Sequence, residues 1–319
     1  MKIRLGVSSC LLGQRVRYDG DHKRDFYISE TLARYFEFVP VCPEVAIGLG
    51  VPRPPIRLVG SAANPRAVGV DDPSLDVTTA LATYGRRQGR ALRGVSGYIF
   101  KSRSPSCGLA RVEIFARGGG SRRGTGVYAA GLRAVLPLLP LAEEEQLREP
   151  MLRDNFLERV FAFQRWQRLH ASGITPARLV AFHAAHTLLL MAHVPTRCVA
   201  LGRLTARADR RSVRSVAARY LEYFMEALAH PATRHTHAGA LRRAAGYLAP
   251  RLHARDRTEL RQAITAYRAG ALPILVPVML LRRHLRGHPD ARLTGQYYLF
   301  PDPEELALRY TVVLDPAQS

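Results

Sequence analysis

Cys10, Cys42 and Cys107 are the residues of this chain best suited to metal chemistry. Thiolates are ligands for zinc, copper(I) and iron–sulfur clusters. Structural zinc sites use Cys-x₂₋₄-Cys pairs, and no such pair exists here. Three isolated cysteines on separate loops suit a cubane better: protein holds three irons and the fourth is left open. An open iron is a Lewis acid that can bind a substrate sulfur, nitrogen or oxygen atom. The plainer alternative is three ordinary buried thiols, since free cysteine is commonly buried. The fourth cysteine, Cys198, stands alone in the second half and reads as a core residue.

The elements that must position these cysteines are legible around them. Ile3 to Val7 reads as a strand running into Ser8-Ser9-Cys10. Asp25 to Phe36 is helix-like, with Phe26, Ile28, Leu32 and Phe36 at roughly helical spacing. Phe38 to Val41 is a second strand ending at Cys42-Pro43, and Tyr98 to Phe100 a third, followed by the loop that contains Cys107. Tyr128 to Leu139 reads as a closing helix. Strands alternating with helices predict an α/β domain with a Rossmann-like parallel sheet. Each cysteine then follows the carboxyl end of a strand, where open α/β sheets bind their ligands.

The motifs themselves are distinctive. Ser8-Ser9-Cys10-Leu11-Leu12-Gly13 precedes Val16-Arg17-Tyr18-Asp19-Gly20; Cys42-Pro43-Glu44-Val45 leads into Gly48-Leu49-Gly50-Val51-Pro52-Arg53-Pro54-Pro55-Ile56-Arg57-Leu58; and Lys101-Ser102-Arg103-Ser104-Pro105-Ser106-Cys107-Gly108 completes the set. Together they resemble the thiouracil desulfidase family over most of residues 1–145. The resemblance implies a 4Fe-4S cluster on Cys10, Cys42 and Cys107, with one iron not ligated by protein. By the same resemblance that iron would take sulfur from a thiocarbonyl, leaving a carbonyl. Replacing C=S by C=O also needs water and a group to move its protons. Glu44 is best placed for that role; its alternative is an acid at a helix N-terminus, interacting with the macrodipole. Ser104 is taken with Glu44 as catalytic, and Asp19, Lys101 and Ser102 as residues that hold the base. Any one of the serines reads equally well as a turn or cap residue. Gly48-Leu49-Gly50 is not a dinucleotide fingerprint, because it lacks the third glycine and prolines follow it.

The rest of the chain has a different texture. The 319 residues suit two domains, here 1–145 (catalytic) and 150–319 (basic and helical), with the proline- and glutamate-rich stretch from Pro137 to Pro150 as a linker or domain boundary. Phe156, Val160 and Phe163, then Leu179, Phe182, His186 and Leu189, then Val213 to Leu228 follow helical patterns. Gly118 to Gly124 reads as a flexible basic loop. His183 and His186, at i and i+3, form a possible metal pair but read better as helix-packing residues.

The net charge is +21, and from Met151 onward 25 Arg face 12 Asp and Glu, a net of +13. Such an excess points to a polyanion. Codon bias explains arginine over lysine, but not the surplus of cations. Pro273-Ile274-Leu275-Val276-Pro277, Gln296-Tyr297-Tyr298-Leu299-Phe300-Pro301 and, more loosely, Thr233 to Tyr247 resemble the YbgA family. The chain departs from that pattern at Arg234-His235-Thr236-His237, where an Asn is expected between the histidines. The resemblance implies a fusion acting on thiolated tRNA, the helical part gripping the RNA.

The expected function is therefore desulfidation of 4-thiouridine in tRNA to uridine with release of sulfide. The alternatives are desulfidation of a free thiobase such as 2-thiouracil, or a non-catalytic basic nucleic-acid-binding protein with structural cysteines. Sulfur insertion, the reverse reaction, usually needs ATP, and no phosphate-binding loop is present. No apolar run reaches the roughly 18–20 residues needed to span a bilayer. The opening Met1 to Val7 is too short for a signal peptide and reads into a strand, so no membrane partner and a cytoplasmic location are expected.

Overall fold

Leu5 and Val7 are removed from solvent together with Tyr98, Ile99 and Phe100, which identifies two central strands covered on both faces. The computed structural model describes residues 2–116 and 120–310. Its strands are β1 (Ile3–Ser8), β2 (Phe36–Val41), β3 (Ile56–Ser61), β4 (Asn64–Gly69), β5 (Gly97–Phe100), β6 (Val112–Phe115), β7 (Ser121–Gly124) and β8 (Leu141–Glu143). The first sheet runs β2-β1-β5-β8 with every pair parallel. The second runs β4-β3-β6-β7, with β3 and β6 parallel and both outer pairs antiparallel. The described residues divide after Phe156, inside a helix, and Leu157–Tyr310 form the second unit. The fold is α/β with a parallel sheet in the first unit and mostly helical in the second.

Helices α1 (Pro43–Ala46), α2 (Thr78–Ala91) and α3 (Val127–Val135) belong to the first unit. Tyr128 of α3 packs its ring edge-on to Phe100 of β5 and bonds the Tyr98 hydroxyl at 3.4 Å. Helices α2 and α3 cross where both carry glycine. A Cβ on Gly85 would lie 2.5 Å from the Tyr128 carbonyl oxygen, and one on Gly131 would lie 2.7 Å from that of Ala82. Both obstacles are backbone, so neither can swing away. Gly131→Val should therefore lower stability by about 1–3 kcal/mol, the usual penalty of overpacking. Denaturant melts of the two proteins measure this, and an unchanged midpoint would show that the helices part freely.

Four segments differ from the sequence expectations. Residues 25–36 are not an α-helix: a single π turn (Tyr27–Thr31) and a 3-10 turn (Leu32–Arg34) deliver the chain to β2. The mixed turns still bury Ile28, Leu32 and Phe36 of the four residues that carried the helical signal, whereas Phe26 is exposed. Pro137 to Pro150 is not a linker, because Leu141–Glu143 completes the first sheet beside β5 and Glu143 and Glu144 are buried. The closing helix stops at Val135, ahead of Pro137. Of the expected flexible loop, Gly118 and Gly119 lie outside the described residues, whereas Ser121–Gly124 is a strand paired with β6.

The division falls within α4 (Pro150–Ala171); α5 (Pro176–His193), α6 (Pro195–Ala206), α7 (Val213–Ala229), α8 (Arg234–Leu248), α9 (Ala254–Ala269), α10 (Leu275–Gly287), α11 (Ala291–Thr294) and α12 (Pro303–Tyr310) follow. No helix among the described residues is long and apolar enough to cross a membrane. His183 and His186 turn to separate partners, the Tyr220 hydroxyl at 3.2 Å and the Phe182 carbonyl at 2.7 Å. Cys198 is buried and directs its thiol at the Thr187 carbonyl.

The helical core also contains an ion network. His193 Nε2 lies 3.1 Å from Glu158 and its Nδ1 2.6 Å from the His230 carbonyl, while Arg309 reaches Glu158 at 2.8 Å. Two acceptors around one imidazole call for two N–H donors, the protonated form. Burial pushes His193 down, but the Glu158 carboxylate and the His230 carbonyl outweigh it and raise its pKa. Burial pushes Glu158 up, but Arg309 and His193 outweigh that and hold it at about 2. The raised histidine contributes stability in full below its unfolded value of about 6.5 and loses it as pH rises through the folded value. The lowered carboxyl contributes above about 4.5 and loses it as pH falls. The stability difference between wild type and His193→Gln should thus be widest between about pH 4.5 and 6.5 and shrink on the alkaline side. A difference that stays constant into alkali would show a neutral His193.

Candidate active site

Strands β2, β1 and β5 are neighbours in the first sheet, and each delivers one cysteine beyond its carboxyl end. The order reverses at β1, since the chain steps to β2 on one side and later returns to β5 on the other. This is the switch point at which open α/β sheets form a crevice. Cys10 sits in a 3-10 turn (Ser9–Leu12) whose end is closed by Gly13 at φ +88°, a left-handed conformation that glycine adopts without strain. Cys42 immediately precedes α1 and directs its thiol at the Val16 carbonyl, 3.6 Å away. The loop carrying Cys107 is shaped from within by Ser104, whose Oγ accepts the N–H groups of Ser106 (3.3 Å) and Cys107 (3.1 Å). It is held from outside by first-turn N–H groups of α3. Val127 donates to the Pro105 carbonyl and Ala129 to that of Ser106, each at 3.1 Å.

The three cysteines line one cavity of about 500 Å³, together with Glu44, Lys101, Ser102 and Ser104. That volume is ordinary for a small-molecule site, for which roughly 300–1,000 Å³ is usual. Asp19 is not among the lining residues. It pairs with Arg17 at 3.1 Å, and Arg17 does reach the cavity.

Glu44 is held at both oxygens. The Arg53 guanidinium donates to Oε2 from Nε at 2.9 Å and lies 2.8 Å from it through a second nitrogen; the Ser106 hydroxyl donates to Oε1 at 2.8 Å. Arg53 is itself anchored on the carbonyls of Val16 (3.0 Å) and Gly50 (2.9 Å). Behind two other lining residues, Glu144 pairs with the Lys101 ammonium and accepts from the Ser102 backbone N–H (2.7 Å) and hydroxyl (2.8 Å). Lys101 also donates its backbone N–H to the Ser8 hydroxyl at 3.0 Å. Arg103, in the same loop, takes φ +58°, a strained value for a residue with a side chain.

Sequence reasoning did not single out Arg53, Ser106 or Glu144. Glu144 was hidden in a stretch that resembles a linker, although the apolar Leu138-Leu139 and Leu141-Ala142 just before it are the trace of an edge strand. Nothing periodic marks Arg53, whose importance comes from its ion pair with Glu44 and its anchor on the distant Val16 carbonyl.

The donor set fits a cluster. Burial pushes the Cys10 thiol up to about 11, with the neighbouring Cys42 adding to the shift. Burial likewise raises Cys42, and it raises Cys107 well above the ordinary range despite a hydrogen bond from Ser8. Such thiols become thiolates only beside concentrated positive charge, which metal ions provide. Among the described residues one set of three ligand atoms lies within 4.8 Å of one another, on Asp256, Glu259 and His284; the three cysteine sulfurs are spread more widely.

The family model described as 2-thiouracil desulfurase matches residues 5–144, and DUF1722, described as a protein of unknown function, matches residues 188–303. The chain is 30% identical over 162 residues to the uncharacterized protein YbgA of Escherichia coli (strain K12), which spans 50% of this chain and 96% of that protein. It is 34% identical over 134 residues to the uncharacterized protein YbbK of Bacillus subtilis (strain 168), which spans 40% of this chain and 87% of that one. Among solved structures, the 4Fe-4S-dependent thiouracil desulfidase TudS shares 34% identity over 46% of this chain and 95% of its own, with a TM-score of 0.37. The chain thus belongs to the 2-thiouracil desulfurase family through residues 5–144, fused to a YbgA-like DUF1722 region.

Proposed function

We propose that this protein is an iron–sulfur-dependent desulfidase that converts 4-thiouridine in tRNA to uridine and releases sulfide. The observation that carries this reading is the convergence of Cys10, Cys42 and Cys107 on one cavity that also exposes Glu44 and Lys101. These cysteines would hold a 4Fe-4S cluster with one iron free of protein ligands. When bound, the cluster supplies a thiophilic Lewis acid that accepts the departing sulfur.

The chain's own residues do the rest. The overall exchange is C=S plus H₂O giving C=O plus H₂S, so protons must leave water and reach sulfur. Glu44 is the proton carrier: Arg53 occupies Oε2, and Oε1 holds the Ser106 hydroxyl with a lone pair to spare. Tyr18 lines the cavity and is 43% exposed, with the Arg17 guanidinium 5.4 Å from its ring centroid, and offers an aromatic surface for stacking the pyrimidine. Lys101 and Ser102, fixed by Glu144, hold the base by its polar edge. Ser104 acts on the position of Cys107, and Asp19 on that of Arg17. A base stacked in folded tRNA reaches this cavity only by being extruded. The net +13 from Met151 onward suits a grip on the RNA, and a tRNA substrate goes with a cytoplasmic location.

The description of the matching family favours a second reading, desulfidation of a free thiobase such as 2-thiouracil. The test is incubation of anaerobically purified protein with bulk tRNA, then digestion and nucleoside analysis. Loss of 4-thiouridine with gain of uridine is the expected result. Thiolated tRNA that survives while free thiouracil is consumed would establish the second reading. A colourless, metal-free protein would leave only a nucleic-acid-binding role.

A further inference from the structure

Asp256, Glu259 and His284 belong to the helical second unit, and the desulfidase reading gives them no role. Asp256 and Glu259 stand three residues apart on α9, so they share one face of that helix. His284 is in the last turn of α10, which packs against α9. One nitrogen of its ring and one oxygen of each carboxylate all lie within 4.8 Å of one another. From Met151 onward only 12 acidic residues face 25 arginines, so the meeting of two of them on one histidine runs against the local charge.

Part of this arrangement has an ordinary explanation. Asp256 sits in the first turn of α9, where a negative charge interacts favourably with the helix dipole. Glu259 pairs with Arg283 at 3.0 Å. Neither account covers His284. It is 8% exposed, and its Nε2 is shielded from solvent with no hydrogen-bond partner. A buried polar atom without a partner is costly. Imidazole is also the commonest side-chain metal ligand, and a bound ion would supply what this ring lacks. Beside the carboxylates a polar hollow, lined by Asp256, Thr258, Glu259, Gln262 and Arg283, gives an ion a path from solvent.

We infer that Asp256, Glu259 and His284 form a binding site for a divalent transition-metal ion, which clips α9 to α10. The ligand set decides the class of ion. Two carboxylates and one imidazole suit manganese(II), iron(II) or zinc, whereas magnesium and calcium prefer oxygen ligands alone. Bonds of about 2.0–2.2 Å place two donor atoms on one ion no more than about 4.4 Å apart. A small shift of the Glu259 side chain, 46% exposed, closes the set to that spacing. The ion has to displace Arg283 from Glu259. That costs little, because both partners of this pair are about half exposed and water screens them. Three protein ligands leave at least one coordination position for water.

The test is a titration of the anaerobically purified full chain with manganese(II), whose free form is counted by its EPR signal. Soft thiolates select other metals, so the count does not depend on what the cysteines carry. A single saturable ion per chain is expected, retained against a large excess of magnesium. Pulsed EPR should show that ion coupled to an imidazole nitrogen. Changes behind a metal ligand cost roughly 10–100-fold in affinity, so losing a ligand in Asp256→Asn or His284→Gln should cost at least about 100-fold. Arg283→Gln should instead tighten binding about two- to fivefold, the worth of the exposed ion pair it removes. A damaged fold cannot produce a gain, so Arg283→Gln and the mild Asp256→Asn decide the matter even if His284→Gln does not fold. No saturable ion, a bound ion without nitrogen coupling, or binding that survives in Asp256→Asn overturns the inference.

Discussion

Changing any one of Cys10, Cys42 or Cys107 to alanine is expected to abolish both the brown colour of anaerobically prepared protein and its desulfidase activity. Iron should fall from about four per chain, the content of one cubane, to a small residue. The three thiols are equivalent in this respect. Each ends a different strand of one rigid sheet, so no neighbouring sulfur can move across to replace a lost ligand. Apart from these three, the chain has one other thiol, Cys198, which is enclosed by helices of the second unit. Cys198→Ala should therefore keep full iron and activity and serves as the internal control. Iron and acid-labile sulfide analysis on all four variants decides the matter. Zinc in place of iron in anaerobic wild-type protein, or iron retained in any of the first three variants, would show that the cavity does not hold this cluster.

That the cysteines could be found in the sequence at all follows from the parallel sheet. Its central strands β1 and β5 are short, largely apolar and covered on both faces over most of their length, and ligands gather at the carboxyl ends whatever the intervening sequence. Local pattern is enough to mark Cys10, Cys42 and Cys107. The groups that hold the site in shape depend on long-range contacts and leave weaker traces. Arg53 lies in a proline-rich segment with no periodicity, yet its guanidinium crosses to Glu44. Glu144 follows a three-residue edge strand whose flanking prolines and glutamates read as a linker. The second sheet went unseen for a similar reason. Ser121–Gly124 has two arginines and no apolar residue, a composition that propensity assigns to a loop, and it is a strand only because β6 offers an open edge.

Glu44→Gln is the second substitution with a large expected effect, a loss of about 10²–10⁴-fold in turnover with the iron content unchanged. The surroundings make this variant informative. Glutamine has the shape of glutamate, and its carbonyl can still accept from Arg53 while its amide donates to the Ser106 hydroxyl, which is able to accept. The hydrogen-bond network survives, and what is lost is the negative charge and the ability to carry a proton. Arg53→Ala is the opposite experiment. It leaves the carboxylate in place but strips the cation from a group that is only 13% exposed. An unpaired charge at such depth destabilises the fold by up to about 3–5 kcal/mol, so this variant should lose thermal stability along with activity. The two roles of Glu44 are thus separable by measurement. If it carries protons, Glu44→Gln keeps the cluster and removes one limb of the pH profile of kcat/KM, with a fall in melting temperature because Arg53, 4% exposed, loses its counter-charge. If it only braces Arg53 and the Cys107 loop, the same variant keeps that limb and near-normal turnover, and the proton must travel by another route.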